Sequence, residues 1–360
     1  MPDDELRDWD RRDEHQLLAF FASAVLVLGS LLLFARLVSS EERPEAPDVL
    51  PASLVAEQGA SSFAAQDGGT VEAPVEESTA IDSAPAGTAP GPEAPQAEAE
   101  AAPVPARVEP LSPPPSMGAR SYAVIERSCG ALLYGMNEED RLPPASVTKI
   151  ITALVVEREA NEADMVDIHV SGSQMARRGS SVMGIEPGMH VSVIDLLYGL
   201  FLPSGNDAAL ALAEYVGGGD VNRFVDLMND EAARLGMNDT HFTNPHGLDN
   251  GDLYSSALDM ALAGRAYLDV GLLAQIATTA EHQVDRILLK NGNRLLQAYP
   301  GTFGVKIGYT RNARQTIVAA AERGGRQLII SVFGSEDRYK DSIALFDWAF
   351  ASLPNGCESR

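Results

Sequence analysis

Lysine is scarce in this 360-residue chain, occurring only as Lys149, Lys290, Lys306 and Lys340. Basic residues number 27 against 51 acidic ones, a net charge of −24. That balance excludes a nucleic-acid binder, which needs a clustered basic surface. Cysteine occurs twice, which excludes a disulfide-stapled scaffold and a cysteine-rich zinc fold. Aromatic residues are also unevenly spread. Phe63 is the only one between positions 41 and 116, so that stretch has little with which to build a core.

What is present falls into distinct regions. Residues 1–15 are polar, with seven acids and three arginines. Residues 17–35 carry no charge and would span about 28 Å as a helix, close to the hydrocarbon thickness of a bilayer. We expect a transmembrane anchor at 16–38, with 1–15 as a cytoplasmic tail and the rest of the chain outside. A cleaved signal peptide ending near Val38-Ser39-Ser40 is the competing reading. Residues 41–116 hold 14 prolines, 14 acids and no lysine, the composition of a disordered, self-repelling linker. The folded domain is expected at 117–360.

Within 117–360, Ser121–Arg127 and Ala131–Met136 read as a hairpin. Helical patterns follow at Ser146–Arg158, Val193–Leu202, Asn206–Val216, Val221–Leu235 and Ser255–Leu268. Strands are expected at Val305–Thr310, Gln315–Ala321 and Gln327–Phe333, the last two joined at Gly324-Gly325. A last helix, Asp341–Leu353, is read as core, because little basic charge flanks its apolar face. Strands, a helical block, then strands and a helix give an α+β class, an antiparallel sheet with helices packed on it.

Three short elements carry chemistry. Ser146 and Lys149 are three residues apart at a helix start, so their side chains can touch. A serine hydroxyl needs an adjacent base, and a desolvated lysine can lose its proton and serve as one. The backbone N–H of Ser146 at that helix end is free to bind a developing oxyanion. Ser204 and Asn206 sit in Pro203-Ser204-Gly205-Asn206, a tight turn between two apolar helices. Lys306 lies inside an apolar strand, and Gly308 after it permits close backbone approach. Each element alone is weak; their order and placement together are specific.

These motifs are of the S-x-x-K, S-x-N and K-x-G kind, and 117–360 resembles the low-molecular-mass serine D-Ala-D-Ala carboxypeptidases, a penicillin-binding family with a β-lactamase/DD-peptidase-like fold. The stretches GIEPGMHVSVIDLLYGLFLPSGNDAALALAEYVGG and MNDEAARLGMNDTHFTNPHGLDN carry the likeness well beyond the motifs. The resemblance implies Ser146 as acylated nucleophile and Lys149 as its base. Ser204 would relay the proton, and Asn206 would hold Lys149 and the substrate amide. Lys306 would attract the substrate carboxylate and depress the Lys149 pKa. Gly308, Tyr309 and Thr310 would complete the substrate-binding strand, with the N–H groups of Ser146 and Tyr309 as oxyanion hole. It also implies peptidoglycan stem peptides as substrate, β-lactams as inhibitors, and no metal or cofactor.

The chain departs from the family's wording in two places. Ile307 stands where the family has Thr or Ser, and Arg314 where it usually has Gly. A missing hydroxyl would cost about 1–3 kcal/mol. We expect Arg314 to reach across the strand pair and supply the lost carboxylate contact. Many relatives carry a further β domain and a C-terminal amphipathic anchor, whereas one domain with an N-terminal anchor is expected here. A D,D-endopeptidase uses the same residues and stays open. A β-lactamase lacks support, since no E-x-x-L-N-like stretch follows Ser204, and a non-catalytic wall-binding module conflicts with five intact site residues. His241 and His246 fit no zinc motif and read as structural. Cys129 and Cys357 lie at the two ends of the domain, and both a disulfide and two free thiols fit the sequence.

Overall fold

The structure, a computed structural model, describes residues 109–357. The expected cytoplasmic tail, membrane anchor and linker up to position 108 lie outside the described residues. Among the described residues no helix is long and apolar enough to cross a membrane.

The chain enters with β1 (Ser121–Glu126) and β2 (Leu132–Met136), the expected hairpin. A 3-10 turn (Ala145–Thr148) runs directly into α1 (Lys149–Glu159). The helical block continues with β3 (Met165–Asp167), α2 (Gly172–Arg177), β4 (His190–Ser192), α3 (Val193–Phe201), α4 (Asn206–Val216), α5 (Val221–Arg234), α6 (Ala257–Asp269) and α7 (Gly271–Thr278). A small hairpin, β5 (Glu281–Val284) and β6 (Ile287–Lys290), and the short α8 (Leu295–Ala298) lead back to the sheet. There β7 (Thr302–Thr310), β8 (Arg314–Arg323) and β9 (Arg326–Ser335) precede α9 (Arg338–Ser352).

The main sheet is five-stranded and antiparallel, in the order β2-β1-β9-β8-β7. Its side chains alternate between two cores, as a strand's period of two demands. Ala123, Ile125, Val318, Ala320 and Ile329 face the helical block. Tyr122, Val124, Ile317, Ala319 and Ile330 face Leu345, Phe346, Trp348 and Ala349 of α9. The sheet is therefore covered on both faces, and α9 is core, as its poverty in flanking basic charge suggested. Helix α1 runs through the middle, with every residue from Lys149 to Val156 buried.

The packed domain starts earlier than the expected boundary at 117. The Leu111 N–H donates to the Ser352 carbonyl at 2.8 Å, and Trp348 Nε1 donates to the Ser112 carbonyl at 3.0 Å. Proline richness masked this, because these contacts use backbone groups and one indole N–H rather than apolar side chains of the segment.

Cys129 and Cys357 form a disulfide across a sequence separation of 228. It ties the β1–β2 turn to the tail after α9. Replacing both with serine is expected to lower unfolding free energy by about 3–5 kcal/mol, the range for closing a long loop. Urea denaturation reads this directly; an unchanged midpoint would show that the tie contributes nothing.

Candidate active site

Ser146 is placed by a packed backbone. Thr316 Oγ1 on β8 donates to the Pro144 carbonyl at 3.0 Å, which pins the segment entering the 3-10 turn. Gly308 on β7 then lies so close that an added Cβ would stand 2.7 Å from the Ser146 nitrogen and 2.5 Å from Thr316 Oγ1. Only glycine lets the strand approach the start of the helix to this distance.

Ser146 Oγ and Lys149 Nζ are 3.1 Å apart. Lys149 is wholly buried, and its Nζ also donates to Asn206 Oδ1 at 2.6 Å and to the His246 carbonyl at 2.7 Å. Both of these partners are acceptors only, so they occupy two of the amine's hydrogens. In the neutral amine the lone pair is left facing Ser146 Oγ, the arrangement a general base requires. The surroundings favour that neutral form. The Lys149 pKa lies well below the usual lysine range, first through burial and second through the charge of Lys306, with Asp207 opposing. Like-charge repulsion from Lys306 is thus real but secondary to desolvation.

Asn206 is held in turn. Its Nδ2 donates to Ser180 Oγ at 2.7 Å, and its backbone N–H to the Ser181 carbonyl at 2.9 Å. Next to it, the buried Asp207 carboxylate accepts the N–H groups of Met183 and Gly184 at 2.8 Å each and of Ile185 at 3.3 Å. This locks the 183–185 loop to the start of α4. Gly205 fits because a Cβ there would lie 2.9 Å from both the Gly199 carbonyl and the Met183 nitrogen. Ser204, squeezed before it, has a φ of +63° and a buried Oγ with no hydrogen-bond partner. A strained backbone carrying an uncommitted hydroxyl is the mark of a functional position.

Lys306 is 2% exposed, with Nζ donating to the Ile307 carbonyl at 3.2 Å and lying 5.8 Å from the centre of the Phe201 ring. Its pKa is drawn down to about 7, mainly by burial and then by Arg338. Arg338 escaped the sequence reading. It is buried at the start of α9, and its Nη1 donates to the carbonyls of Gly308 at 2.7 Å and Thr316 at 3.1 Å. One signal was there to be read, since a cation at a helix N-terminus is disfavoured by the dipole and needs another reason. Because those two opposed carbonyls point into the β7–β8 ladder, Ile307 and Tyr309 present their backbone groups to the open edge of the sheet.

Two residues expected near the substrate have side chains with partners inside the protein. Thr310 Oγ1 donates to Asp249 Oδ1 at 2.7 Å and accepts the Ala313 N–H at 3.0 Å, so its hydroxyl closes a turn. Arg314 is exposed and pairs with Glu336 at 3.3 Å rather than crossing the strands toward Lys306. The expectation that it replaces the missing hydroxyl of Ile307 is corrected here; the second cation near Lys306 is Arg338. His246 is structural, as read. Its pKa falls to about 3 through burial and then Lys149, and its Nδ1 accepts the Leu248 N–H at 3.2 Å.

Residues 108–337 match the peptidase S11 family, described as D-alanyl-D-alanine carboxypeptidase. The chain belongs to this family. Among curated carboxypeptidases of that name, DacF of Bacillus subtilis is 36% identical over 243 residues, which cover 65% of this chain and 62% of that protein. DacB2 of Mycobacterium tuberculosis is 38% identical over 256 residues, covering 67% and 86%. The chain thus spans less than two thirds of the length of some of these carboxypeptidases. The crystal structure of the Streptomyces K15 DD-transpeptidase superposes with a TM-score of 0.64 at 31% identity, covering 67% of this chain and all of that one. The mixed α/β DD-peptidase fold expected from the motifs is the fold found.

Proposed function

We propose that this chain is a serine D-Ala-D-Ala carboxypeptidase that removes the terminal D-alanine from peptidoglycan stem peptides and is acylated by β-lactams. One observation carries the reading: a buried lysine whose hydrogens are taken by Asn206 and His246, so that its lone pair faces Ser146. Ser146 Oγ attacks the carbonyl carbon before the last residue while Lys149 takes its proton. The oxyanion meets the N–H groups of Ser146 and Tyr309. The proton returns through Ser204 to the leaving amine, and water then releases the acyl group. Lys306, with Arg338 behind it, attracts the terminal carboxylate. Ile307 packs on the α9 side of the sheet and offers no hydroxyl, so charge alone holds that carboxylate. Weaker carboxylate anchoring keeps D,D-endopeptidase action on cross-links as a second reading. Turnover of a cross-linked dimer against a pentapeptide separates the two.

The domain would act outside the cell, anchored by 16–38 and tethered by the linker. The charge-free run at 17–35 supports the anchor, and the Cys129–Cys357 disulfide supports an oxidising compartment.

Intact-mass analysis with benzylpenicillin tests the reading. A persistent penicilloyl adduct is expected, absent in Ser146→Ala. No adduct at any dose would overturn it, and an adduct that clears within seconds would point to β-lactamase chemistry. The pH profile gives a second test. Lys149 must be neutral, so activity falls on the acid side as pH drops through its lowered pKa. Lys306 must be charged, so kcat/KM falls on the basic side as pH rises through about 7. In kcat that basic limb is expected at higher pH, because the bound carboxylate stabilises the ammonium. A kcat/KM flat across neutral pH would contradict the Lys306 assignment, and the absence of any acid limb would contradict that of Lys149.

A further inference from the structure

Lys306 is a buried cation in poor company. Its ammonium has three hydrogens to donate, and among the described residues its one hydrogen-bond partner is the Ile307 carbonyl. It forms no ion pair with a carboxylate among those residues. The charged groups that act on it are cations too, Arg338 of α9 and Lys149 of α1. The 3-10 turn beside it, Ala145–Thr148, carries no charge, and its register partner on β8 is the wholly buried Val318. Burial and like charge both favour loss of the proton. Attraction of a carboxylate requires the opposite, a charged ammonium with hydrogens to spare.

One neighbour works the other way. Phe201, the last residue of α3, has its ring beneath Lys306 Nζ, 5.8 Å from ring centre to nitrogen. The face of an aromatic ring is electron-rich and attracts a cation within about 6 Å, more strongly where water is excluded. Both side chains are buried, so water is largely excluded here. The ring is itself held in place. It stacks on Tyr267 of α6, with centres 4.4 Å apart and planes 21° from parallel. Tyr267 is wholly buried and its hydroxyl has no hydrogen-bond partner, so the packing of its ring is what it contributes. Because α3 ends in the turn that carries Ser204 and Asn206, the same ring links that turn to the lysine of β7.

We infer that Phe201 is a positioning residue for Lys306, its ring face standing in for a carboxylate counter-ion and keeping the ammonium charged and aimed into the site. An aspartate or glutamate in its place would hold the charge more firmly. It would also occupy the hydrogens and cancel the attraction for a substrate carboxylate. A ring face does neither, so the remaining hydrogens stay available. The inference rests on the proposed function in one respect, that a carboxylate is what Lys306 meets.

The scarcity of lysine makes a direct test practical. With lysine carrying carbon-13 at its ε carbon, the full chain gives nuclear magnetic resonance signals from Lys149, Lys290, Lys306 and Lys340 alone. The signal lost in Lys306→Met is that of Lys306, and in the unaltered protein it should titrate at about pH 7. Phe201→Met fills a similar space without a ring face and should lower that midpoint by about half a pH unit, a roughly threefold loss of proton affinity. Phe201→Tyr keeps the face and should restore the midpoint, and Phe201→Leu serves in place of methionine should that variant not fold. Above the midpoint, kcat/KM of Phe201→Met for a pentapeptide ending in D-Ala-D-Ala should fall by about the same threefold. The loss should lie in KM with kcat kept, because a bound carboxylate restores the ammonium. A midpoint that stays in place or rises without the ring would overturn the inference, as would a loss confined to kcat. Failure of the proposed function reads differently, as no turnover and no penicilloyl adduct in the unaltered protein, wherever the Lys306 midpoint lies.

Discussion

Lys149→Met is expected to fold and to lose acylation by about 10³–10⁴-fold, the contribution of a positioned general base. Methionine has nearly the length of lysine and suits a wholly buried site. The substitution leaves Asn206 Oδ1 and the His246 carbonyl without their shared donor, which costs about 1–3 kcal/mol for each acceptor that water does not reach. Removing an amine from an apolar interior offsets part of that loss. The second-order rate of benzylpenicillin acylation, with near-UV circular dichroism as the check on folding, measures the outcome. Acylation at the unaltered rate would remove Lys149 from the role of base. Lys149→Arg makes the complementary test. A guanidinium stays charged at any working pH and has no lone pair to give, so it too should fail, although it keeps the positive charge.

Asp207→Ala is expected to be the most damaging single change to stability away from the nucleophile, at about 3–5 kcal/mol. The carboxylate is fully buried and receives three loop N–H groups, from Met183, Gly184 and Ile185. Each buried donor left without an acceptor costs about 1–3 kcal/mol, less where the loop relaxes into water. The damage should extend to function, because the neighbouring serines of that loop hold Asn206, through Ser180 Oγ and the Ser181 carbonyl. Urea denaturation gives the stability change, and hydrogen exchange should show the 183–185 amides losing protection. An alanine variant as stable as the parent, with those amides still protected, would show that the loop is held by other contacts. Asp207→Asn keeps one carbonyl acceptor and should fall between the two.

Much of the molecule was open to reading from the chain alone. The apolar runs in Gln315–Ala321 and Gln327–Phe333, joined at Gly324-Gly325, placed the central strands, and apolar periodicity placed the long helices within two or three residues. The short pair β3–β4, the hairpin β5–β6, and the helices α2 and α7 went unread. Segments of three to eight residues hold too few periods to signal themselves, and they form because the neighbouring core supplies a surface. The resemblance implied Thr310 as part of the substrate-binding strand, and nothing in the sequence signalled that its hydroxyl is bound to Asp249, 61 residues away. Arg314 was assigned on a departure from the family's wording, but Glu336 lies within its reach.

The catalytic centre divides along the same line. A spacing of three at a helix start lets Ser146 and Lys149 touch by local geometry, so their contact was legible in the sequence, and the roles proposed for them came from the resemblance. Whether Lys149 holds its proton was not legible there, because that depends on which groups surround it. The acceptors that occupy its hydrogens come from positions 57 and 97 residues further along, and its desolvation comes from helices and strands packed on every side. Protonation states follow burial and neighbouring charge, and both are products of the packing between distant segments, which only the tertiary structure decides.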